Sequence, residues 1–422
     1  MPAQPGLHSI DMTHYVLSFI RTNQADDRMV SASTRHYWFD ASYSVGHTNA
    51  REQPQSLEIT WPSMMAILKR LEADPGRRET RLEFGDTLRQ LLLPAGWGQH
   101  EAEIRKVLAN PARSLQVTVQ SNAPEIYRIP WELLNLQEKG PHLGANSRVM
   151  IGYSWPTKPP DGLLSPRSLH LSRPKRVVLA WSGEDNPPPV RLHLNALVDA
   201  QAAGGLSFQD RDDVIASMSL QALRKRLAEV EPHEPVALHL LCHGAESQGK
   251  YGLVCSDDDE RRIVVSAVQL RDTMTSYADK VALLVLCVCN SGNETGIDSD
   301  LGSLAQACHR IGIPWVIGSR FPLSKRDSVR LCQNLYMHMV ESGGDIEKSF
   351  AHARNQFIAQ QDSSAWCGMQ LYAHDYYRRT ADHNKTAVPT ASKTSKEKRS
   401  WRRRVVMVGL VSTIGLYRVP RG

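Results

Sequence analysis

Two short and almost entirely apolar segments in the second half of the chain constrain the fold most. They are "PVALHLL", residues 235–241, and "KVALLVL", residues 280–286. Strands with one exposed face alternate apolar and polar residues, whereas strands covered on both faces read as continuous apolar runs. Helical patterns precede and follow both segments. The sequence therefore predicts an α/β fold with a mostly parallel sheet and helices on both faces.

The pattern along the chain predicts the following organisation. Residues 1–54 are polar and irregular, and we interpret them as a loosely structured lead-in. Residues 55–155 form an amino-terminal half, 156–174 a proline-rich linker, 175–375 a second half with alternating strands and helices, 376–404 a basic disordered linker, and 405–422 a short apolar tail.

The charge of the chain is concentrated near its carboxyl end. The 422 residues carry a formal net charge of +6. Residues 392–404, "SKTSKEKRSWRRR", contain seven basic residues and one acidic residue, so most of the excess lies in the tail. Because the body of the protein has no such excess, we expect no nucleic-acid partner.

The cysteines and the first residues favour a cytoplasmic protein. Seven cysteines are an odd number, and they lack the spacing of a disulfide framework. The start of the chain lacks the charged residues and long apolar segment of a secretory signal. We therefore expect free thiols in a reducing compartment.

The tail allows two interpretations. Residues 405–417, "VVMVGLVSTIGLY", are uncharged and lie between two arginines. A helix of this length rises about 20 Å, which is less than the roughly 30 Å of a bilayer's hydrocarbon core. The segment either packs on the body as a short element or contacts a membrane surface.

Each of the two apolar segments is followed by a residue type that performs nucleophilic catalysis. His243 and Gly244 follow the first, and Cys289 follows the second, before a turn that ends at Gly292. One hairpin and one helix separate the segments, so the two strands can be neighbours whose carboxyl ends share an edge. An imidazole beside a thiol favours the thiolate, which attacks a carbonyl carbon. Backbone amides near the two glycines would face the oxyanion.

Further motifs add to this pair. They are "PWEL" at residues 130–133, "CNSG" at 289–292, "SLAQACHRIGIPWVIGS" at 303–319 and "KSFAHARNQF" at 348–357. Together with the strand that ends in His-Gly, they resemble the CHAT branch (caspase HetF associated with TPRs) of the caspase-like cysteine peptidases, relatives of separase. The resemblance covers residues 57–372.

The resemblance implies a caspase-like fold in which residues 55–155 are a degenerate half and residues 175–375 the catalytic half. It implies Cys289 as the nucleophile and His243 as the base of an endopeptidase that cleaves a partner protein through an acyl-enzyme. Compact members are typically bacterial, which suggests a role in defence or cell death. An activating sensor, a regulatory protein or cleavage in the linker would control the activity. We expect no metal and no cofactor.

The substrate pocket is less well determined. Members of the clan with basic specificity often carry an acidic residue two positions before the nucleophile, in the S1 pocket. Here that position is Cys287, which we interpret as a core thiol that also belongs to the candidate S1 pocket. Glu294, Asp298 and Asp300 follow the turn and are an alternative source of negative charge.

Two alternatives to the peptidase remain. The first is a caspase-like interaction or scaffold module that has lost catalysis. The second is a zinc site made of Cys242, His243, Cys287 and Cys289, which the spacing disfavours, because structural zinc ligands usually leave two or more residues between paired cysteines. In the PWEL motif we expect Trp131 to fill space between the two halves and Glu132 to find a polar partner near the site.

Overall fold

The computed structural model describes residues 11–22, 34–45, 48–51, 53–156, 174–183, 188–231, 233–247, 250–257, 259, 261–288, 303–360 and 363–374. All of them belong to one compact unit, Met1–Ala381.

Fifteen strands and ten α-helices are present in the described residues. The strands are β1 (Asp11–Arg21), β2 (Thr34–Val45), β3 (Thr48–Arg51), β4 (Gln55–Thr60), β5 (Arg113–Ser121), β6 (Val149–Ser154), β7 (Val177–Trp181), β8 (Val214–Ile215), β9 (Val236–Leu241), β10 (Gly244–Ser247), β11 (Lys250–Ser256), β12 (Arg262–Ser266), β13 (Val281–Cys287), β14 (Trp315–Ser319) and β15 (Met369–Ala373). The helices are α1 (Trp61–Ala73), α2 (Arg78–Leu92), α3 (Trp97–Ala109), α4 (Val190–Ala202), α5 (Leu220–Ala228), α6 (Ala267–Thr275), α7 (Leu304–Arg310), α8 (Lys325–Glu341), α9 (Ile346–Ala359) and α10 (Ala365–Gly368).

Twelve of these strands form one sheet with two parallel blocks. The order is β3-β2-β1-β5-β6-β15-β14-β13-β9-β7-β8, and β4 pairs with β2. The first block, β1, β5, β6 and β15, is parallel throughout. The second block, β14, β13, β9, β7 and β8, is also parallel. The blocks meet at β14 and β15, which pair in the antiparallel direction.

The expected loosely structured lead-in is wrong for the described residues before β4. Residues 11–21, 34–45 and 48–51 are strands of the large sheet. The reason is a period-two pattern that we did not detect: in β1 every second residue is buried, which places Tyr15, Leu17 and Phe19 in the core. Residues 157–173 of the linker predicted at 156–174 lie outside the described residues, as do the basic linker predicted at 376–404 and the tail predicted at 405–422.

The prediction of a sheet covered on both faces is confirmed in the second block. Every residue of β9 and β13 is buried. Because successive side chains of a strand point to opposite faces, burial of every residue requires cover on both faces. The helices accordingly form two packed groups, one of α4, α8 and α9 and the other of α5, α6 and α7.

A smaller sheet adjoins the second block. The predicted hairpin of β11 and β12 is confirmed, and β10 adds a third strand to it. The six cysteines among the described residues are buried and form no disulfide with one another. No helix in the described ranges is both long enough and apolar enough to span a membrane.

Candidate active site

The two strands that precede the candidate catalytic residues are neighbours in the sheet. β9 and β13 run parallel, and their register places Leu241 opposite Cys287 at the carboxyl ends. His243 follows Leu241 by two residues, and Cys289 follows Cys287 by two residues. Carboxyl ends of parallel strands are where ligands bind in open α/β sheets.

The backbone around His243 is held from two sides. The carbonyl of Leu241 accepts a hydrogen bond from the amide of Ser182 at 3.3 Å, and the carbonyl of His243 accepts one from the amide of Val254 at 2.8 Å. Gly244 begins β10 directly afterwards, opposite Leu253 of β11. The His243 side chain is half-buried. The smaller sheet therefore fixes the backbone at the point where β9 reaches the open edge.

Several predicted site residues lie outside the described part of the chain. They are Cys289, Gly292, Glu294, Asp298 and Asp300. Their assignment as nucleophile, oxyanion turn and pocket charges stays a prediction. The same holds for the oxyanion role of Gly244.

Cys287 has buried neighbours that the sequence did not indicate. The thiol is 5% exposed. One ring nitrogen each of His193 (α4) and His239 (β9) and the sulfur of Cys287 lie within 4.8 Å of one another, and we call these three residues the His193 cluster. Burial lowers the pKa of His193 to about 4. It also lowers the pKa of His239 well below its usual value. Both imidazoles are therefore neutral at pH 7.

The PWEL motif forms a 3-10 turn, Trp131–Leu133. The indole of Trp131 stacks on Phe19 with 4.7 Å between ring centroids, and its Nε1 donates to the carbonyl of Ile126 at 2.9 Å. Phe19 belongs to β1, and Ile126 belongs to the amino-terminal half of residues 55–155. Trp131 thus anchors the turn on β1.

Glu132 has the buried polar partner that we expected. Its carboxylate accepts a hydrogen bond from Nη1 of Arg320 at 3.2 Å, and the hydroxyl of Tyr153 lies 2.8 and 2.9 Å from its two oxygens. Nη2 of Arg320 also contacts the Tyr153 hydroxyl at 2.9 Å. Burial raises the pKa of Glu132, and the Arg320 guanidinium opposes this shift. We call these three residues the Glu132 cluster.

The Glu132 cluster joins the two blocks of the sheet. Tyr153 belongs to β6 in the first block, and Arg320 directly follows β14 in the second. β14 is the neighbour of β13, so Arg320 lies at the carboxyl end of the strand next to the one that precedes Cys289. The cluster therefore fixes the PWEL turn to the edge where β14, β13 and β9 end.

Two glycines allow this turn to be closely packed. A Cβ on Gly85 of α2 would lie 2.3 Å from the carbonyl oxygen of Leu133. A Cβ on Gly144 would lie 2.7 Å from Cα of Glu132. Real Cβ atoms do not approach backbone this closely, so both positions require glycine.

Sequence reasoning missed His193, His239 and Arg320. The sequence did indicate a site role for Arg320, because this residue directly follows the predicted strand "IPWVIGS", at the edge of the sheet where ligands bind. A histidine inside an otherwise apolar strand, as His239 is, was also a signal, because an isolated polar side chain in such a strand needs a buried partner. His193 lies in an amphipathic helix, where no pattern distinguishes it.

Comparison with known proteins gives one family. A sequence model of the CHAT domain matches residues 83–391 of the chain. No curated protein matches it.

Solved structures with a similar arrangement are distant. One is the Arg-specific cysteine proteinase gingipain R, with a TM-score of 0.42, 10% identity, and coverage of 72% of this chain and 68% of that one. A complex of Porphyromonas gingivalis RgpB pro- and mature domains has a TM-score of 0.41 and 11% identity, covering 72% of this chain and 70% of that one. Saccharomyces cerevisiae separase in complex with securin has a TM-score of 0.48 and 11% identity, covering 86% of this chain and 30% of separase.

The family assignment rests on the sequence match, since these TM-scores are all below 0.5. The match spans more than half of the 422 residues. It includes the PWEL turn, the β9–β13 pair and the strand that Arg320 follows. The chain belongs to the CHAT-domain family.

Proposed function

We propose that the chain is an endopeptidase that cleaves a partner protein with Cys289 as the nucleophile and His243 as the base. The observation that carries the proposal is the register of β9 and β13. Leu241 and Cys287 are paired, and the two candidate residues follow them at the same spacing. Side chains two residues apart along a strand point to the same face, so this spacing suits a thiol and an imidazole that meet at the edge.

The chemistry follows from these two groups. The imidazole of His243 accepts the thiol proton, and the sulfur of Cys289 attacks the carbonyl carbon of the scissile peptide bond. Backbone amides near Gly244 and Gly292 donate to the oxyanion. The C–N bond breaks, and His243 returns the proton to the leaving amine. Water then hydrolyses the thioester, with His243 again accepting a proton.

The test is covalent labelling with peptidyl acyloxymethyl ketones, which react with the nucleophilic thiol of cysteine peptidases, followed by mass spectrometry to identify the modified cysteine. We expect adduct on Cys289, and we expect the His243→Ala variant to lose roughly a hundredfold or more of the labelling rate. Cys255→Ser, which changes a buried thiol of β11, is the matched control and should label like wild type.

The same variants should be compared in cells that express the chain. New protein amino termini that depend on both Cys289 and His243 would identify the partner protein. Absence of labelling and of new amino termini would favour the alternative, a caspase-like scaffold without catalysis.

We also propose that the activity is regulated, by a sensor or regulatory protein or by cleavage within residues 156–174. The isolated wild-type chain should then cleave peptides slowly. High constitutive activity would contradict regulation while leaving the catalytic assignment intact.

The proposed place of action is the cytoplasm, in keeping with the free thiols of the described cysteines. Membrane contact through residues 405–417, which lie outside the described part, is a separate proposal. Its test is co-sedimentation of the full chain and of a variant that ends at residue 404 with anionic vesicles.

A further inference from the structure

We propose that His193, His239 and Cys287 are ligands of a buried zinc ion. This departs from the sequence-based expectation of no metal. It does not depend on the proposed peptidase activity, since none of the three residues takes part in that chemistry.

The three side chains offer a set of donor atoms that suits zinc. Two imidazole nitrogens and a thiol are ligands that Zn²⁺ prefers, and a set of three protein ligands occurs in known zinc sites. Among the His, Cys, Asp and Glu residues of the described ranges, these three side chains are the only group of three whose donor atoms all lie within 4.8 Å of one another. Donors at about 2.0–2.3 Å from a tetrahedral ion lie roughly 3.3–3.8 Å apart, so binding requires side-chain shifts of only about 1 Å.

Both imidazoles also have a ring nitrogen without a hydrogen-bond partner. His193 and His239 are completely buried. Nδ1 of His193 and Nε2 of His239 have no hydrogen-bond partner, although buried polar atoms nearly always have one. A bound ion would satisfy such atoms.

The other nitrogen of each ring lies next to a hydroxyl oxygen. Nε2 of His193 lies 3.3 Å from the hydroxyl of Ser328, and Nδ1 of His239 lies 3.0 Å from the hydroxyl of Tyr336. Metal-bound histidines almost always donate their second ring N–H to an oxygen in this way.

The tautomer of His193 can be assigned from its partner. The Ser328 hydroxyl gives its single proton to the carbonyl of Lys325 at 2.9 Å, so it accepts from Nε2 of His193. Nδ1 of His193 then carries the lone pair that a metal needs. Coordination releases the thiol proton of Cys287 to solvent and leaves a sulfur–zinc bond.

The site would connect three elements beneath the catalytic edge. His193 belongs to α4, His239 to β9 and Cys287 to β13. His239 precedes His243 by four residues, and Cys287 precedes Cys289 by two. An ion bound to all three would hold the two strands in fixed register immediately before the candidate dyad.

The experiment measures zinc per chain by elemental mass spectrometry on the full protein, expressed with zinc and desalted without chelator. We expect one equivalent in wild type and at least a tenfold loss in His193→Ala, His239→Ala and Cys287→Ser. Two controls should keep the ion. Cys308→Ser changes another buried thiol, in α7, and His338→Ala removes one ring of the stacked His338–His352 pair.

If a variant of the His193 cluster does not fold, two measurements on the wild-type protein test the site instead. X-ray absorption at the zinc edge should show two imidazole nitrogens near about 2.0 Å and one sulfur near about 2.3 Å. Cobalt-substituted protein should show thiolate-to-metal charge-transfer absorption.

Three results would overturn the proposal. Wild type refolded with equimolar zinc could retain none, the absorption edge could show no sulfur, or the ion could be lost in Cys289→Ser and His243→Ala but kept in His193→Ala. The last result would assign the ion to the Cys242–His243–Cys287–Cys289 set instead. None of these readouts depends on peptide cleavage, so failure of the zinc site and failure of the peptidase are distinguishable.

Discussion

The Glu132 cluster and the His193 cluster are both buried next to strands of one sheet, but the cost of burying their polar groups is offset in different ways. Glu132 is paired with the opposite charge of Arg320, and Tyr153 bridges the two groups. The His193 cluster contains no pair of opposite charges. Each of its imidazoles contacts one hydroxyl and leaves one nitrogen without a partner.

The difference indicates which cluster can take a ligand. Arg320 also has a buried nitrogen without a partner, its Nε, but a guanidinium carries only donors and cannot bind a cation. A neutral imidazole has a lone pair that can. The Glu132 cluster is thus complete as a connection between the two blocks, whereas the His193 cluster is suited to an ion.

The largest effect is expected when one charge of the Glu132 cluster is removed. Arg320→Met leaves the carboxylate of Glu132 buried without its cation. Breaking a buried pair in this way lowers the free energy of unfolding by about 3–5 kcal/mol. Urea denaturation measures the change. Arg326→Met, which alters an exposed arginine of α8, should stay within about 0.5 kcal/mol of wild type.

Zinc should stabilise the protein through the other cluster. At a free concentration a hundred times its Kd, a ligand that binds only the folded state adds about 2.7 kcal/mol to the free energy of unfolding. Because the two clusters share no residue, the increment should be the same in wild type and in Arg320→Met. If zinc adds much less to the free energy of unfolding of Arg320→Met than to that of wild type, the two clusters are energetically coupled and do not act independently.

The packing of α2 against the PWEL turn should have an intermediate effect. Gly85→Ala places a Cβ against the carbonyl oxygen of Leu133, and such overpacking lowers the free energy of unfolding by about 1–3 kcal/mol. Gly98→Ala in α3 is the matched control. Its nearest contact would be an ordinary 3.7 Å, so alanine should stabilise the helix by up to about 1 kcal/mol. Equal effects of both substitutions would contradict the steric argument.

The last effect develops gradually over several pH units: it is a pH dependence from His142, which contacts the carbonyl of Leu133 at 2.8 Å. Burial lowers the pKa of His142 from 6.5 to about 4. The unfolded state therefore binds a proton before the folded state does. As pH falls from 6.5 to about 4, this group should reduce the free energy of unfolding by up to about 1.4 kcal/mol per unit. His142→Gln should flatten the dependence, and an unchanged slope would exclude this histidine as its source.

Much of the second block could be predicted from the sequence. Continuous apolar runs identified β9 and β13 as strands covered on both faces, and the short connection between them suggested that they are neighbours. Their parallel pairing follows from the same physical rule, since a strand that must be covered on both faces is paired through helical crossovers. The sequence thereby placed His243 and Cys289 after adjacent strands.

The first block was predicted less well. Tyr15, Leu17 and Phe19 alternate with less buried residues, but Val16 and Ile20 at these intervening positions are also apolar and weaken the contrast of the pattern, so the sequence favours an irregular segment over β1. Its strand structure depends on non-local pairing with β2 and β5. Strand propensity is dominated by such neighbours, which a local pattern does not contain.

The sequence by itself determined the family, the parallel second block and the candidate catalytic pair, because motifs and hydrophobic periodicity are local properties of the chain. Only the tertiary structure decided that Glu132 is paired with Arg320, 188 residues away. It alone brought His193, His239 and Cys287 together from one helix and two strands. Side chains from separate elements meet according to packing and register, and the unpartnered nitrogens that point to a metal exist only after that packing is complete.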